Sequence, residues 1–575
     1  MGLAVFLVSF LLYSYTAIPV IFYEDNPEFI TTAYTLGIAH PSGYPLINIL
    51  GNIAGLLPFG NFAYRCNIMS ALFGAIAVYF FFRCSFTLSK EKFFSGAAAL
   101  IFMLSGNLWT QSSIMEVYTL HYALFFSVFW ISLSGRLIDF RWLLISSFLF
   151  GFAITNHLSF ALGLIPFSLL WIAKRSEWRY RMDIGKFGLV LLAGLLSWSV
   201  HLYLPARSMS GTQDILFSWG RIDSLSSFMG NITGFIYSDL PFNKGNMQDR
   251  LNIMMDYFSN FPIWAWAISI VPFVFGIMKM LALSVSGSLA FLLGIVAFFF
   301  YSLLHYAAID IMMVIPWGLS LLVIFFGIAR LGNFLKKATA SVLTILAIYM
   351  YSNGMSEYDR HEDYTAYDYM VDVFETVPPD GRLETVAGFE ENYILFYSTF
   401  GPAAIYPKTG ESENAKLEPF FPYLSLEVKT SATYSLFNMA HPYSGKYGDM
   451  AIWNYIRSFN LDKTHLRFRE GPLTRSAYKG AVLARIAVQK GHALMKNGDK
   501  QKAGFFYQLA AKWNTVGVLK EATIRDRWGE TDTSIAMIEA SLKSRPTTYA
   551  SALLAKIRLA EKKGDRPAFL PDTNL

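Results

Sequence analysis

Cysteine and charge are both scarce in this sequence. Only two of its 575 residues are cysteines, Cys66 and Cys84, and both lie in or beside one apolar segment. This excludes a disulfide-stapled secreted scaffold. Charged residues make up 15% of the chain, where a soluble protein holds roughly a quarter. The net charge of +6 is small and spread over loops, which argues against a nucleic-acid partner. No cluster of His, Asp and Glu stands at metal-ligand spacing, and no internal repeat relates the apolar segments to one another.

What fills the space is apolar: 54% of residues are hydrophobic and 17% aromatic. The excess is confined to residues 1–352, whereas 353–575 have ordinary soluble composition, so the main boundary falls near Asn353. A helix needs about twenty mostly apolar residues to cross a bilayer. Segments 3–21, 64–82, 93–109, 117–134, 142–156, 158–173, 187–204, 261–278, 284–304, 311–329 and 338–352 qualify, the polar pair Asn156-His157 dividing the fifth from the sixth. The fold class is therefore mostly α, a polytopic membrane protein of about eleven spans. With the N-terminus cytoplasmic, Arg83, Lys90, Lys92, Arg136, Arg141, Lys174, Arg175, Arg179, Arg181, Lys186, Lys279, Arg330, Lys336 and Lys337 all lie inside, and the shorter outer loops offer little beyond Arg65. Positive residues stay on the cytoplasmic side, so this orientation is preferred. An odd number of spans then places the C-terminal third outside, in a bacterial periplasm or, in a eukaryote, the endoplasmic reticulum lumen. The first span is expected to serve as a signal-anchor. The abundant Phe and Tyr are read as lipid-facing bulk or interfacial belt.

Residues 353–475 form a small α/β segment with strands expected at Leu383–Ala387 and Tyr393–Tyr397. Residues 476–575 are helical. There Gly491, Leu494, Gly498, Ala503, Tyr507 and Ala510, then Ala522, Gly529, Ile538 and Pro546, and a degraded copy around Gly564, follow tetratricopeptide spacing. Such helix pairs stack into a docking surface for a protein partner; an irregular helical bundle is the alternative.

Two long outer loops, 22–63 and 205–260, place any chemistry at the outer face. The first opens with EDNPEFITTAYTLGIAHPSGYPL, Glu24 to Leu46. Asp25 or Asn26 is placed to cap a helix beginning at Pro27, where a missing N–H is harmless. Phe29, Ile30, Ala33 and Leu36 then share a face, and Gly37 with Pro41 ends the helix. This predicts a short amphipathic helix lying along the outer interface, with Asp25 and Glu28 on one side. His40, Pro41, Gly43, Tyr44 and Pro45 make a rigid turn back towards the membrane.

These residues resemble the protein O-mannosyltransferase-like membrane family of the GT-C superfamily. The resemblance rests on the acidic–x–x–Glu–Phe–Ile pattern followed by Leu-Gly-Ile-Ala-His-Pro-x-Gly-Tyr-Pro-Leu. Weaker matches are Arg65–Asn67, Ser70–Ala75, Trp109, Glu116-Val117-Tyr118, Tyr203–Arg207, Trp219-Gly220, and Asp310 before Pro316. Where the family has Gly-Asp-x-Gly-Glu, this chain has Glu24-Asp25-Asn26-Pro27-Glu28. The resemblance implies transfer of a sugar, mannose in the family, from a polyprenyl-phosphate carrier in the membrane lipid to an acceptor hydroxyl of a protein or glycan. The implied reaction inverts the sugar and needs no metal cofactor. A hydroxyl nucleophile needs a carboxylate to take its proton, and the departing phosphate needs a cation. Asp25 is then the base, and Glu28 supports the acceptor or keeps Asp25 oriented. Arg65 and Arg207 are candidates for the donor phosphate, and His40, Tyr44, Glu116 and Tyr118 for substrate contacts.

Each assignment has a plainer counterpart. Asp25 and Glu28 suit a helix N-terminus. His40 suits a helix end bonded to a backbone carbonyl, Arg65 and Arg207 suit snorkelling, and Glu116 suits a helix start. His121, His157, His201 and His305 are read as packing or interhelical hydrogen bonds. A transporter or flippase of lipid-linked sugars is the competing function.

Overall fold

The computed structural model describes residues 1–22, 25–210 and 222–234, most of 250–364, residues 366–367, 381–385 and 432–436, and most of 487–563. It is mostly helical and falls into two units, one holding Met1–His361 and the other most of the chain from Glu362 onward. Elements of the first unit, in order, are α1 (Gly2–Tyr15), α2 (Asn26–Thr35), α3 (Pro45–Ala54), α4 (Phe62–Ser89), α5 (Lys92–Met103), α6 (Gly106–Ser112), α7 (Tyr118–Leu133), α8 (Phe140–Asn156), α9 (Leu164–Ala173), α10 (Ile184–Trp198), α11 (Tyr203–Met209), α12 (Leu225–Thr233), α13 (Ile263–Leu283), α14 (Val285–Leu304), α15 (Ile309–Met312), α16 (Val314–Ile328) and α17 (Asn333–Glu357).

Every one of the eleven apolar segments overlaps a helix. Among the described residues, three helical stretches, Phe62–Ser89, Ile184–Met209 and Val285–Leu304, are long and apolar enough to cross a membrane, and the bent pair α5–α6 makes a fourth if taken as one span. Leu3, Leu7 and Leu11 of α1, Leu192 and Leu196 of α10, and Ile345 and Ile348 of α17 all face outward. An apolar rim of this extent belongs in lipid.

Local chemistry accounts for the departures from expectation. The first helix stops at Tyr15 rather than running to Ile21. The Thr16 hydroxyl turns back onto Leu12 O and accepts the Trp109 indole N–H at 2.8 Å, and Pro19 disfavours helix at the residue before it. The segment expected at 93–109 bends by 66° between α5 and α6. Tyr13 Oη donates to Met103 O at 2.8 Å, and the Ser105 hydroxyl donates to Phe102 O at 2.7 Å, so the carbonyls ending α5 are satisfied by side chains. Asn156-His157 does divide the fifth and sixth segments, His157 being extended.

The expected lipid-facing role of the aromatics is corrected in the bundle interior. Phe81, Phe102, Phe125, Phe126 and Phe129 are fully buried, and Phe81 stacks on Phe102 with centroids 4.2 Å apart. These rings fill the space between α4, α5 and α7, and offset or edge contacts add to burial.

In the second unit, β1 (Gly381–Thr385) pairs in parallel with β2 (Ala432–Leu436), Leu383 opposite Tyr434. The first expected strand is thus displaced two residues towards the N-terminus, and the second, Tyr393–Tyr397, lies outside the described residues. Three helices follow, α18 (Lys500–Arg527), α19 (Thr531–Ser544) and α20 (Thr548–Lys563). Ala503, Tyr507, Ala510, Ala522 and Ile538 are all buried in their shared core. A side chain at Gly491 would collide with the Tyr507 ring, and Gly498 and Gly529 take positive φ at turns. Pro546 is exposed, and Gly564 lies outside the described residues.

Candidate active site

The site begins at a polar knot on α4. Asn67 Nδ2 donates to Ile18 O and Val20 O, both at 2.9 Å, and its Oδ1 accepts from Met115 N at 2.7 Å and from Asn26 Nδ2 at 3.2 Å. Asn26 Nδ2 also donates to Met115 O, while its Oδ1 accepts from Phe22 N at 2.8 Å. Both asparagines are fully buried. An amide in such a place is costly unless all its bonds are made. These two therefore fix the chain entering Asp25 against the chain entering Glu116.

That arrangement corrects the expected capping and the expected interfacial helix. Helix α2 begins at Asn26, and no side chain caps its N-terminus. From Asn26 to Ala33 every residue is buried, so α2 is packed on all sides rather than floating with one face in water. Its polar residues are satisfied within the protein: Thr31 Oγ1 donates to Pro27 O, and Thr32 Oγ1 to Asn48 Oδ1 at 2.9 Å. Asn48 Nδ2 in turn reaches Gly43 O, and Asn52 Nδ2 reaches Ala33 O, so α2 and α3 form a cross-braced hairpin.

The turn between them carries His40. Its backbone N–H donates to Glu28 Oε1 at 2.7 Å, and its Nδ1 lies 2.6 Å from Oε2. The Nε2 atom faces Asp25 Oδ2 at 3.8 Å. His40 thus stands between two acids of unequal access: the Glu28 side chain is fully buried, and that of Asp25 is 39% exposed. Burial lowers the His40 pKa, but the charges of Glu28 and then Asp25 outweigh it and push it up to about 9. The imidazole is therefore an imidazolium at neutral pH. The Asp25 side chain is partly exposed yet closely surrounded by protein. Burial raises its pKa most, His40 pulls against this and Glu28 adds to it, leaving it above the usual range.

Tyr44 completes the turn in the left-handed region, with φ 44°. Its ring packs edge-on against Phe29 and His40 at 5.3 and 5.0 Å. Burial raises its hydroxyl far above the usual value, and the charges of Asp25, Tyr301, Glu28 and Glu116 follow as smaller causes. Tyr44 is thus a permanent O–H donor within the field of both acids. Gly43 precedes it at φ +80°, and a side chain there would meet Leu204 at 2.7 Å. Only glycine fits this close approach.

Six of the eight residues named from sequence fall in this neighbourhood around Tyr44: Asp25, Glu28, His40, Tyr44, Glu116 and Tyr118. Glu116 is buried. Tyr118 lies within the influence of Tyr44, Glu116 and Asp25, and its ring is 5.7 Å from that of His157. The two arginines are committed elsewhere. Arg65 Nε, Nη1 and Nη2 donate to Phe59 O, Gly55 O and Gly60 O at 2.5, 2.5 and 2.8 Å, a clamp on the turn between α3 and α4. Arg207 Nε donates to Leu36 O at 2.7 Å and Nη2 to Thr35 O at 3.3 Å, closing the C-terminus of α2. Tyr203 Oη assists at Gly37 O.

Sequence reasoning passed over four contributors. Asn26 and Asn67 were seen only as a possible cap and as part of a short match. His157, read as packing, joins Ser159 Oγ at 2.7 Å, which lies 3.4 Å from His121 Nε2, and Tyr301 is close enough to influence Tyr44. The available signal was the cost of amide and imidazole groups inside apolar segments.

Asp25, Glu28 and His40 also offer three ligand atoms within 4.8 Å of one another, a grouping that linear spacing did not reveal. In the arrangement seen here they are linked to one another, His40 Nδ1 to Glu28 and Nε2 facing Asp25.

Comparison with known proteins bears on this same region. Residues 25–180 match the family described as "Protein O-mannosyl-transferase TMEM260 N-terminal domain". A Mus musculus protein described as "Protein O-mannosyl-transferase TMEM260" is 30% identical over 242 residues, 40% of this chain and 33% of the relative. A Dictyostelium discoideum protein described as "Protein O-mannosyl-transferase tmem260" is 24% identical over 261 residues, 42% of this chain and 31% of the relative. The chain matches about a third of the length of these curated relatives.

Proposed function

We propose, from the premise that this chain carries in residues 25–180 the N-terminal domain of the protein O-mannosyltransferase-like family, that it is a membrane glycosyltransferase of the GT-C type. In this reading it moves mannose from a polyprenyl-phosphate carrier to a Ser/Thr hydroxyl of an exported protein, with inversion and without a metal. The observation that carries the proposal is the pairing of one open acid with one sealed acid through a single histidine. Asp25, partly exposed and raised in pKa, is the general base. Glu28, fully buried, holds His40 rather than substrate.

The step balances simply. The acceptor hydroxyl gives its proton to Asp25 as its oxygen bonds to the anomeric carbon, and the carrier phosphate leaves from the opposite sugar face. A raised pKa makes Asp25 a better proton acceptor than an ordinary carboxylate. Tyr44 and Tyr118 supply neutral O–H donors to the sugar, with Glu116 as an acceptor behind them. Arg207, at the rim beside α2, is the candidate for the departing phosphate, and Arg65 shapes the loop.

In the same proposal about eleven spans make up residues 1–352, with the N-terminus cytoplasmic in a bacterial inner membrane. The segment 353–475 and the tetratricopeptide-like helices of 476–575 then lie in the periplasm, where the helices recruit acceptor proteins.

Asp25→Asn tests the reading. In proteoliposomes given polyprenyl-phosphate mannose and acceptor peptide, turnover should fall about 10²–10⁴-fold while donor binding is kept. Undiminished turnover would refute the assignment.

A further inference from the structure

The far end of α4 carries a second cluster that the reaction does not use. Arg83 lies sixteen residues beyond Asn67 on the same helix, about 24 Å along its axis and so near the opposite membrane face. Its Cζ sits 4.4 Å from the centre of the Trp130 ring, and its Nη1 donates to Tyr79 Oη at 2.7 Å. Arg136 covers Trp130 as well, at 4.7 Å, and Trp142 at 4.5 Å. Two guanidinium groups thus share one indole, in the order Tyr79–Arg83–Trp130–Arg136–Trp142. Neither arginine makes an ion pair among the described residues, so their charge is held by ring faces without being neutralised.

Beside them runs a groove of about 720 Å³ between α1 and α4. Its walls are apolar, including Leu3, Phe6, Ile76 and Phe86, and its only cationic side chains are Arg83 and Lys92. Those apolar walls suit hydrocarbon, and the two cations suit one anionic head. We propose that this groove is a binding site for an anionic glycerophospholipid of the leaflet opposite the candidate active site, an acyl chain lying along α1 and α4 and the phosphate held by Arg83 and Lys92. Basic pockets between spans recognise such headgroups. A carrier-bound sugar seated here would be a membrane's width from Asp25, so the sugar donor is not the occupant. A free anion would leave the apolar walls unused.

The test is native mass spectrometry of the full chain in mild detergent, titrated with equimolar phosphatidylglycerol and phosphatidylcholine. Phosphatidylglycerol adducts should dominate, and R83Q/K92Q should reduce that preference about thirtyfold, the effect of two basic side chains at a charged surface. Arg83→Lys should keep most of it, and mannosyl transfer should be unchanged in both. Lys92→Gln alone, an exposed position, should lower the preference if the double variant fails to fold. Equal retention of the two lipids, an unaltered preference in the variants, displacement by inorganic phosphate, or stronger retention of polyprenyl phosphate would each overturn the proposal.

Discussion

Replacing Glu28 by Gln should convert His40 from a cation to a neutral ring. In the native turn both Glu28 oxygens accept, one from the His40 backbone N–H and one from Nδ1. A glutamine can keep the first bond through its oxygen, but its amide nitrogen then faces Nδ1 and needs an acceptor there. His40 would answer by carrying its proton on Nε2 alone. The raised pKa measures what is at stake: a rise from 6.5 to about 9 corresponds to roughly 3 kcal/mol. Because the folded-state value lies above the unfolded one, this stabilisation is whole below pH 6.5 and is lost as pH climbs through about 9. Apparent melting midpoints in detergent, followed from pH 6 to 10, should therefore fall in the wild type and fall much less in Glu28→Gln. The mannosyl-transfer rate should lose its alkaline limb over the same window. Groups remote from Glu28 titrate equally in both proteins and cancel in the comparison. Superimposable melting and rate profiles would show that Glu28 does not hold the His40 charge.

Further consequences are equally open to measurement. Gly43→Ala places a methyl group against Leu204 at φ +80°; it should lower stability by about 1–3 kcal/mol, read as an earlier thermal transition. Arg65→Gln should loosen the turn after α3, seen as faster proteolysis at residues 55–60, with the KM for the lipid-linked donor unchanged. A raised KM would instead make Arg65 a donor ligand. Asn67→Leu removes four hydrogen bonds of a buried amide and leaves Asn26 partly unsatisfied. A loss of roughly 3 kcal/mol or more follows, and a near-neutral result in chemical unfolding would contradict the role given to the knot.

The apolar helices were legible because long apolar runs need no tertiary context, and each of the eleven segments overlaps a helix, although among the described residues only three, or four with the bent pair, are long and apolar enough to cross a membrane. Their ends were not. Tyr15 stops α1 because Trp109, ninety-three residues beyond Thr16, supplies a partner, and α5 bends because Tyr13 takes a carbonyl from Met103. The character of α2 was misjudged for the same reason. Thr31, Thr32 and Glu28 look like a solvent face in a linear reading, yet each finds its partner inside. Asp25, Glu28 and His40 were named from one motif, but their linkage depends on the turn at Gly43 and Tyr44, whose left-handed backbone no periodicity reports. The carbonyl partners of Arg65 and Arg207 were not legible either, because proximity to a membrane end says nothing about nearby carbonyls.

The knot at Asn67 has an evolutionary corollary. One amide ties the strand of chain before Asp25 and the strand before Glu116 to a single point, so the gap between those acids is set by bond lengths of about 3 Å rather than by tension in the connecting loops. Insertions elsewhere in the connecting loops, even large ones, would leave that gap unaltered. Chains of very different size can thus vary around this point while Asp25 keeps its station.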